Sequence, residues 1–169
     1  MNKSSIPNIL TFMNLSLGII SIIFCFNNQI IYASLSILLA GLIDRYDGQI
    51  ARKFNAVSPI GKELDSLSDL VSFGVSPAII AWKISLITLG PIGYIVLLIY
   101  PICGCFRLAR FNVTEFKKVY MGVPITIAGG LMAIDSIASV KLGIHPALTV
   151  VFMLLLSYLM VSSLKIKKL

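Results

Sequence analysis

SSIPNILTFMNLSLGIISIIFCFNNQIIYASLSILLAGLI, residues 4–43, contains no Asp, Glu, Lys or Arg. An apolar helix needs about 20 residues to cross the ~30 Å hydrocarbon core of a bilayer. The stretch is long enough for two crossings, and Asn27-Asn28-Gln29 offers a polar turn between them. It therefore predicts membrane helices over 8–26 and 30–51. Further along, Ser58-Pro59-Ile60-Gly61 separates the second helix from a third over 61–83, where Pro77 removes a backbone hydrogen bond and favours a kink. Gly90-Pro91 opens a fourth over 91–111. A fifth covers 122–140 and a sixth 146–164, before Lys165, Lys167 and Lys168.

Composition agrees with that reading. Of 169 residues, 57% are apolar and 12% charged, whereas soluble domains carry about 25% charged and 45–50% apolar residues. A soluble globule, a disordered chain and a disulfide-rich module are excluded. Cys25, Cys103 and Cys105 are odd in number and lack C-x-x-C spacing, so they read as small core residues rather than a disulfide framework or zinc site. The first residues lack a small-residue cleavage site and are expected to be retained, not removed as a signal peptide.

Net charge is +7. The excess sits at the ends of apolar runs, with no basic stripe interleaved with aromatics, which argues against nucleic acid as a partner. Lys3, Arg45, Arg52, Lys53, Lys62, Arg107, Arg110, Lys117, Lys118, Lys165, Lys167 and Lys168 fall on one side of a six-helix arrangement; Lys83 and Lys141 fall on the other. By the positive-inside rule both termini are cytoplasmic. The expectation is an all-α integral membrane protein, a single domain over 1–169 with six transmembrane helices, placed in the cell membrane.

Against this background the acids stand out. Asp44 and Asp47 are spaced i, i+3 near the end of the second helix; Asp65 and Asp69 are i, i+4 near the start of the third, with Glu63 beside them. Each pair projects from one face of its helix, and the short connection makes the helices antiparallel neighbours. A carboxylate near the bilayer centre costs about 2.5–3.5 kcal/mol on insertion scales, and clustering adds repulsion. A divalent cation among them resolves both problems, and an all-oxygen set suits Mg²⁺, Mn²⁺ or Ca²⁺ rather than zinc. The plainer alternative is a solvated cap with Arg45, Arg52 and Lys62 as partners.

The string Asp44-Arg-Tyr-Asp47-Gly48-Gln-Ile-Ala51-Arg52, then eight residues, then Gly61-Lys-Glu-Leu-Asp65-Ser-Leu-Ser-Asp69 resembles the D-x-x-D-G-x-x-A-R-x₈-G-x-x-x-D-x-x-x-D signature of the CDP-alcohol phosphotransferase family. Every fixed position is matched. The resemblance extends to the whole chain, because the family core is six transmembrane helices with the motif on the second and third. It implies an enzyme in which an alcohol attacks the lipid-side phosphate of a CDP-linked lipid and CMP leaves, a transfer governed by positioning and charge neutralisation. By the same resemblance Asp44, Asp47 and Asp65 are metal ligands, for two ions of Mg²⁺ or Mn²⁺. Asp69 is a further ligand and the general base. Gly48 lets the nucleotide approach the backbone, and Arg52, Ser58 and Lys62 face its phosphates. Pro7-Asn8-Ile-Leu-Thr11-Phe-Met-Asn14 is similar to the family's P-N-x-x-T-x-x-N opening, which implies that Asn8 and Thr11 contact the cytidine end. Helix capping and packing are the alternative for these residues.

Asp65-Ser-Leu-Ser-Asp69-Leu-Val-Ser-Phe-Gly-Val-Ser-Pro-Ala78 and Arg107-Leu-Ala-Arg110-Phe-Asn112 resemble stretches of the phosphatidylserine synthase branch. Gly122-Val123-Pro124 replaces that branch's usual G-L-P. The branch uses free L-serine as acceptor. Arg107 and Arg110, at i, i+3, suit its carboxylate because an arginine fork binds carboxylates bidentately. The donor is then CDP-diacylglycerol or CDP-archaeol, the site is cytoplasmic, and a homodimer is implied. Two rivals stay open: another acceptor (glycerol 3-phosphate or an inositol phosphate), and a divalent-cation transporter. The second rival wants acids near the midplane and a repeated architecture, whereas the acids cluster near one face and no repeat is evident. Asp135 reads as a packing or interface hydrogen bond, His145 as an outer-loop residue, and Trp82 and Tyr94 as an interfacial belt.

Overall fold

The computed structural model describes residues 5–53, 58–113, 119–162 and 165–167. Helix α1 (Ser5–Phe26) leads through a short turn, with Asn28 at φ 62°, into α2 (Ile30–Lys53). Asparagine tolerates that left-handed conformation through local hydrogen bonding. The third rod is composite: α3 (Pro59–Asp69), a π-helical turn (Leu70–Val75) and α4 (Ser76–Ile84). A 3₁₀ turn (Leu86–Leu89) and Gly90, at φ 57°, lead to α5 (Pro91–Val113), which runs through Pro101. Then follow α6 (Ile125–Leu142) and α7 (Pro146–Val161).

Four helical stretches are long and apolar enough to cross a membrane: Asn8–Phe26, Pro59–Ile84, Pro91–Val113 and Ile125–Leu142. Helix α7 is a shorter apolar helix, and α2 carries Asp44, Arg45 and Asp47. The described residues are helical except for one strand pair that the all-α expectation omitted. β1 (Val119–Met121) runs antiparallel to β2 (Lys165–Lys167), with Val119 opposite Lys167.

The irregularity expected at Pro77 falls before it. In a regular helix the proline ring would strike the carbonyl of Phe73. That residue lies inside the widened π turn, and Pro77 occupies the first turn of α4. A π turn of this kind is common at functional sites, and this one begins immediately after Asp69.

Packing is tight where small residues meet. A Cβ on Gly18 would lie 2.8 Å from Ser72 Cα, and one on Gly129 would lie 2.7 Å from Phe73 Cα. Ser76 Oγ donates to Ser21 Oγ at 2.8 Å, and Ser21 Oγ lies 2.8 Å from the Ala33 carbonyl and donates to it. In lipid, where apolar side chains gain little by leaving the solvent, close backbone approach and interhelical hydrogen bonds hold helices together. The outside is correspondingly apolar: Ile9, Phe12, Ile19 and Ile23 of α1 are exposed, while Asn14, Ser21 and Thr11 are buried.

Smaller expectations can be placed on this frame. Cys25 is buried in the core, Cys103 is half-buried and packs against it, and Cys105 is exposed rather than a core residue. Lys83 Nζ donates to the carbonyls of Cys25 (2.7 Å) and Phe26 (3.1 Å), closing the end of α1. Trp82 and Tyr94 stack at 5.9 Å. His145 caps α7, its Nδ1 accepting from the Ala147 amide at 3.3 Å.

Candidate active site

The last turns of α2 and the length of α3, which ends at Asp69, bring the acids together. Carboxylate oxygens of Asp44, Asp47 and Asp65 all lie within 4.8 Å of one another. The Asp69 carboxyl lies within hydrogen-bonding reach of Asp44. Asp47 and Asp69 are only 5% and 8% exposed. At such spacing two bare carboxylates repel by roughly 3–4 kcal/mol per pair, even at an effective dielectric near 20.

The neighbouring helices contribute neutral donors. Thr11 Oγ1 on α1 donates to Asp47 Oδ2 (3.3 Å), Asn14 Nδ2 to Asp69 Oδ1 (3.1 Å), and Thr126 Oγ1 on α6 to Asp44 Oδ2 (3.3 Å). Asp65 Oδ1 is buried and meets no donor among the described residues. Neutral hydroxyls and amides orient carboxylates without cancelling their charge. The orphaned oxygen and the hard all-oxygen donor set fit a divalent cation such as Mg²⁺ or Mn²⁺.

The other expected site residues divide. Asn8 Oδ1 would sit 3.5 Å from a Cβ on Gly61, at the start of α3, and Gly48 is half-buried beside Asp47. The Arg52 side chain lies outside the described residues, as do Lys3, Lys117 and Lys118. Ser58 caps α3, its Oγ accepting from the Gly61 amide at 3.0 Å. Ser58→Ala is expected to cost about 1 kcal/mol, the usual worth of an N-cap, read as a small fall in Tm. Lys62 Nζ donates to the Asn112 carbonyl at 3.1 Å and lies 5.8 Å from the Phe111 ring centre.

The two arginines serve different surroundings. Arg107 is 8% exposed, with its guanidinium 5.7 Å from the Phe111 ring centre. Arg110 donates to the carbonyls of Val161 (3.0 Å) and Ser162 (3.5 Å) at the end of α7, where a cation is favourable. Asn112 Nδ2 donates to Glu63 Oε1 (3.2 Å) and Ser66 Oγ (3.0 Å), fastening the end of α5 to the start of α3.

Asn14 and Thr126 touch the site although neither was assigned a role from sequence. Asn14 had a signal, lying i+3 from Thr11 and so on the same face of α1. Thr126 had none, since its contact with Asp44 spans 82 residues.

The profile of the CDP-alcohol phosphatidyltransferase family matches residues 4–167. The chain belongs to this family. It is 40% identical over 161 residues to the CDP-diacylglycerol–serine O-phosphatidyltransferase of Bacillus subtilis, covering 95% of this chain and 88% of that protein. The enzyme of the same name from Helicobacter pylori is 34% identical over 166 residues, covering 94% of this chain and 70% of its own. The archaetidylserine synthase of Methanothermobacter thermautotrophicus is 36% identical over 168 residues, covering 95% and 69%. CDP-alcohol phosphatidyltransferases generally depend on a divalent metal, and the cluster of Asp44, Asp47 and Asp65 is of the kind that holds one.

Proposed function

We propose that this membrane enzyme transfers the phosphatidyl or archaetidyl group of a CDP-linked lipid to the hydroxyl of L-serine, releasing CMP. The observation that carries the reading is the convergence of four aspartates from α2 and α3, in a chain 40% identical to a serine transferase over 95% of its length. Asp44, Asp47 and Asp65 hold divalent metal, Mg²⁺ or Mn²⁺ and in our reading two ions, which neutralises the diphosphate when bound. Asp69, adjoining that set through Asp44, is a further ligand in our reading and takes the proton of the serine hydroxyl. The serine oxygen forms a bond to the lipid-side phosphorus, and the bond from that phosphorus to the oxygen of CMP breaks.

Asn8, Thr11 and Gly48 border the nucleotide end of the donor, with Arg52, Ser58 and Lys62 along its phosphates. Arg107, buried on α5, and Arg110, near the end of the same helix, are the arginines that take the serine carboxylate, through at least one of the two. The chain is one domain that crosses the membrane six times, with both termini and the site on the cytoplasmic side, and pairs as a homodimer. The Lys and Arg distribution supports that orientation.

CMP release by the purified protein, with CDP-lipid and Mg²⁺ or Mn²⁺, tests this reading. Release is expected to require L-serine, to cease with excess EDTA and to return when metal is restored. Release only with glycerol 3-phosphate or an inositol phosphate would remove serine as the acceptor. No release with any alcohol, alongside metal uptake into vesicles, would replace the enzyme with a transporter.

A further inference from the structure

Asn14 is fully buried in α1 at 0% exposure, yet its amide is only half used. Nδ2 donates to Asp69 Oδ1 at 3.1 Å, while Oδ1 is buried and meets no donor among the described residues. The Asn14 backbone carbonyl accepts from Ser72 Oγ at 2.9 Å, within the π turn that follows Asp69. One turn along α1, Gly18 lies so close to Ser72 that a side chain would strike it. Helix α1 is thus locked to the segment bearing Asp69 at successive points.

An asparagine serving only interhelical packing would be expected to satisfy both ends of its amide, because an unmatched polar atom in a bundle interior is costly. Here the matched end meets the one aspartate assigned to proton transfer. A neutral donor can fix a carboxylate's orientation without introducing a cation that would compete with the metal for it.

We propose that Asn14 is a positioning residue for Asp69: its amide N–H holds one carboxylate oxygen and thereby keeps the other for the acceptor hydroxyl. The assignment rests on the reading of Asp69 as the group that activates the acceptor. It concerns kcat, since misplacing a reacting group by about 1 Å costs on the order of 10²-fold.

The test compares wild-type protein with Asn14→Leu, which keeps the branched skeleton and removes the donor. CMP release is followed at varied CDP-lipid and L-serine, and Tm is measured with and without Mn²⁺. The expected result is a kcat lower by about 10²-fold, an unchanged KM for CDP-lipid and a retained Mn²⁺-induced rise in Tm. Adding Asn14→Leu to Asp69→Asn should cost nothing further. An unchanged kcat, or an equal loss in the wild-type and Asp69→Asn backgrounds, would overturn the inference. So would loss of the Mn²⁺ effect along with activity, which would make Asn14 part of the metal site. If Asn14→Leu does not fold, Asn14→Ala removes the donor without adding bulk or charge, and the same kcat comparison decides. Wild-type protein that releases no CMP with serine overturns the proposed function as well; normal wild-type release with an unaffected variant overturns this inference alone.

Discussion

Asp69→Asn is expected to lower serine-dependent CMP release by about 10²–10⁴-fold, the usual worth of a positioned general base. The amide keeps the size of the side chain but cannot take the hydroxyl proton. Asp65→Asn should be as damaging for a different reason. Asp65 belongs to the set whose oxygens lie within 4.8 Å of one another, so this variant should also lose the Mn²⁺-induced rise in Tm. Glu63→Gln is the control. Glu63 is exposed and engages Asn112, so its substitution should leave the rate unchanged. Wild-type release from Asp69→Asn would remove the general-base assignment.

Gly129→Ala should destabilise the protein by about 2–3 kcal/mol, towards the upper end of what overpacking costs. The added methyl would lie 2.6 Å from Phe73 Cβ, 2.7 Å from its Cα and 2.8 Å from its carbonyl oxygen. Two of those are backbone atoms that no rotamer change can move. The neighbouring Gly130→Ala meets nothing nearer than Leu38 Cδ2 at 3.9 Å. It should be neutral, or stabilising by up to about 1 kcal/mol from helix propensity. Thermal unfolding of the two variants in one detergent would read a Tm fall of roughly 5–10 °C for the first alone. Activity should fall with it, because displacing α6 carries Thr126 away from Asp44. Equal Tm values for the two variants would contradict the close approach of α6 to the π turn.

These two outcomes rest on different kinds of information. The aspartates were legible in the sequence because i, i+3 and i, i+4 spacing is local geometry, and a short connection makes two helices neighbours. The contact of Gly129 with Phe73 was not, since neither residue carries a signal pointing at the other. The same holds for the contacts of two cations. Arg110 and Lys62, both expected at the substrate, also donate to the end of α7 and to the Asn112 carbonyl, contacts that no local pattern announces. Helix ends shifted by a few residues: the fifth helix begins at Ile125 rather than 122, after Gly122 at φ 72° and Pro124.

The sequence by itself determined that apolar helices long enough for a membrane would form, and that four aspartates would gather where the second meets the third. Both follow from properties read along one helix: the length of an uncharged run, and the rotation per residue that sets which side chains share a face. The tertiary structure alone decided which neutral donors complete the site, Asn14 across 55 residues and Thr126 across 82. It also decided that the irregularity before Pro77 would be a π turn seated on glycines of α1 and α6. Those outcomes depend on how closely distant helices approach, which small residues permit but no local pattern specifies.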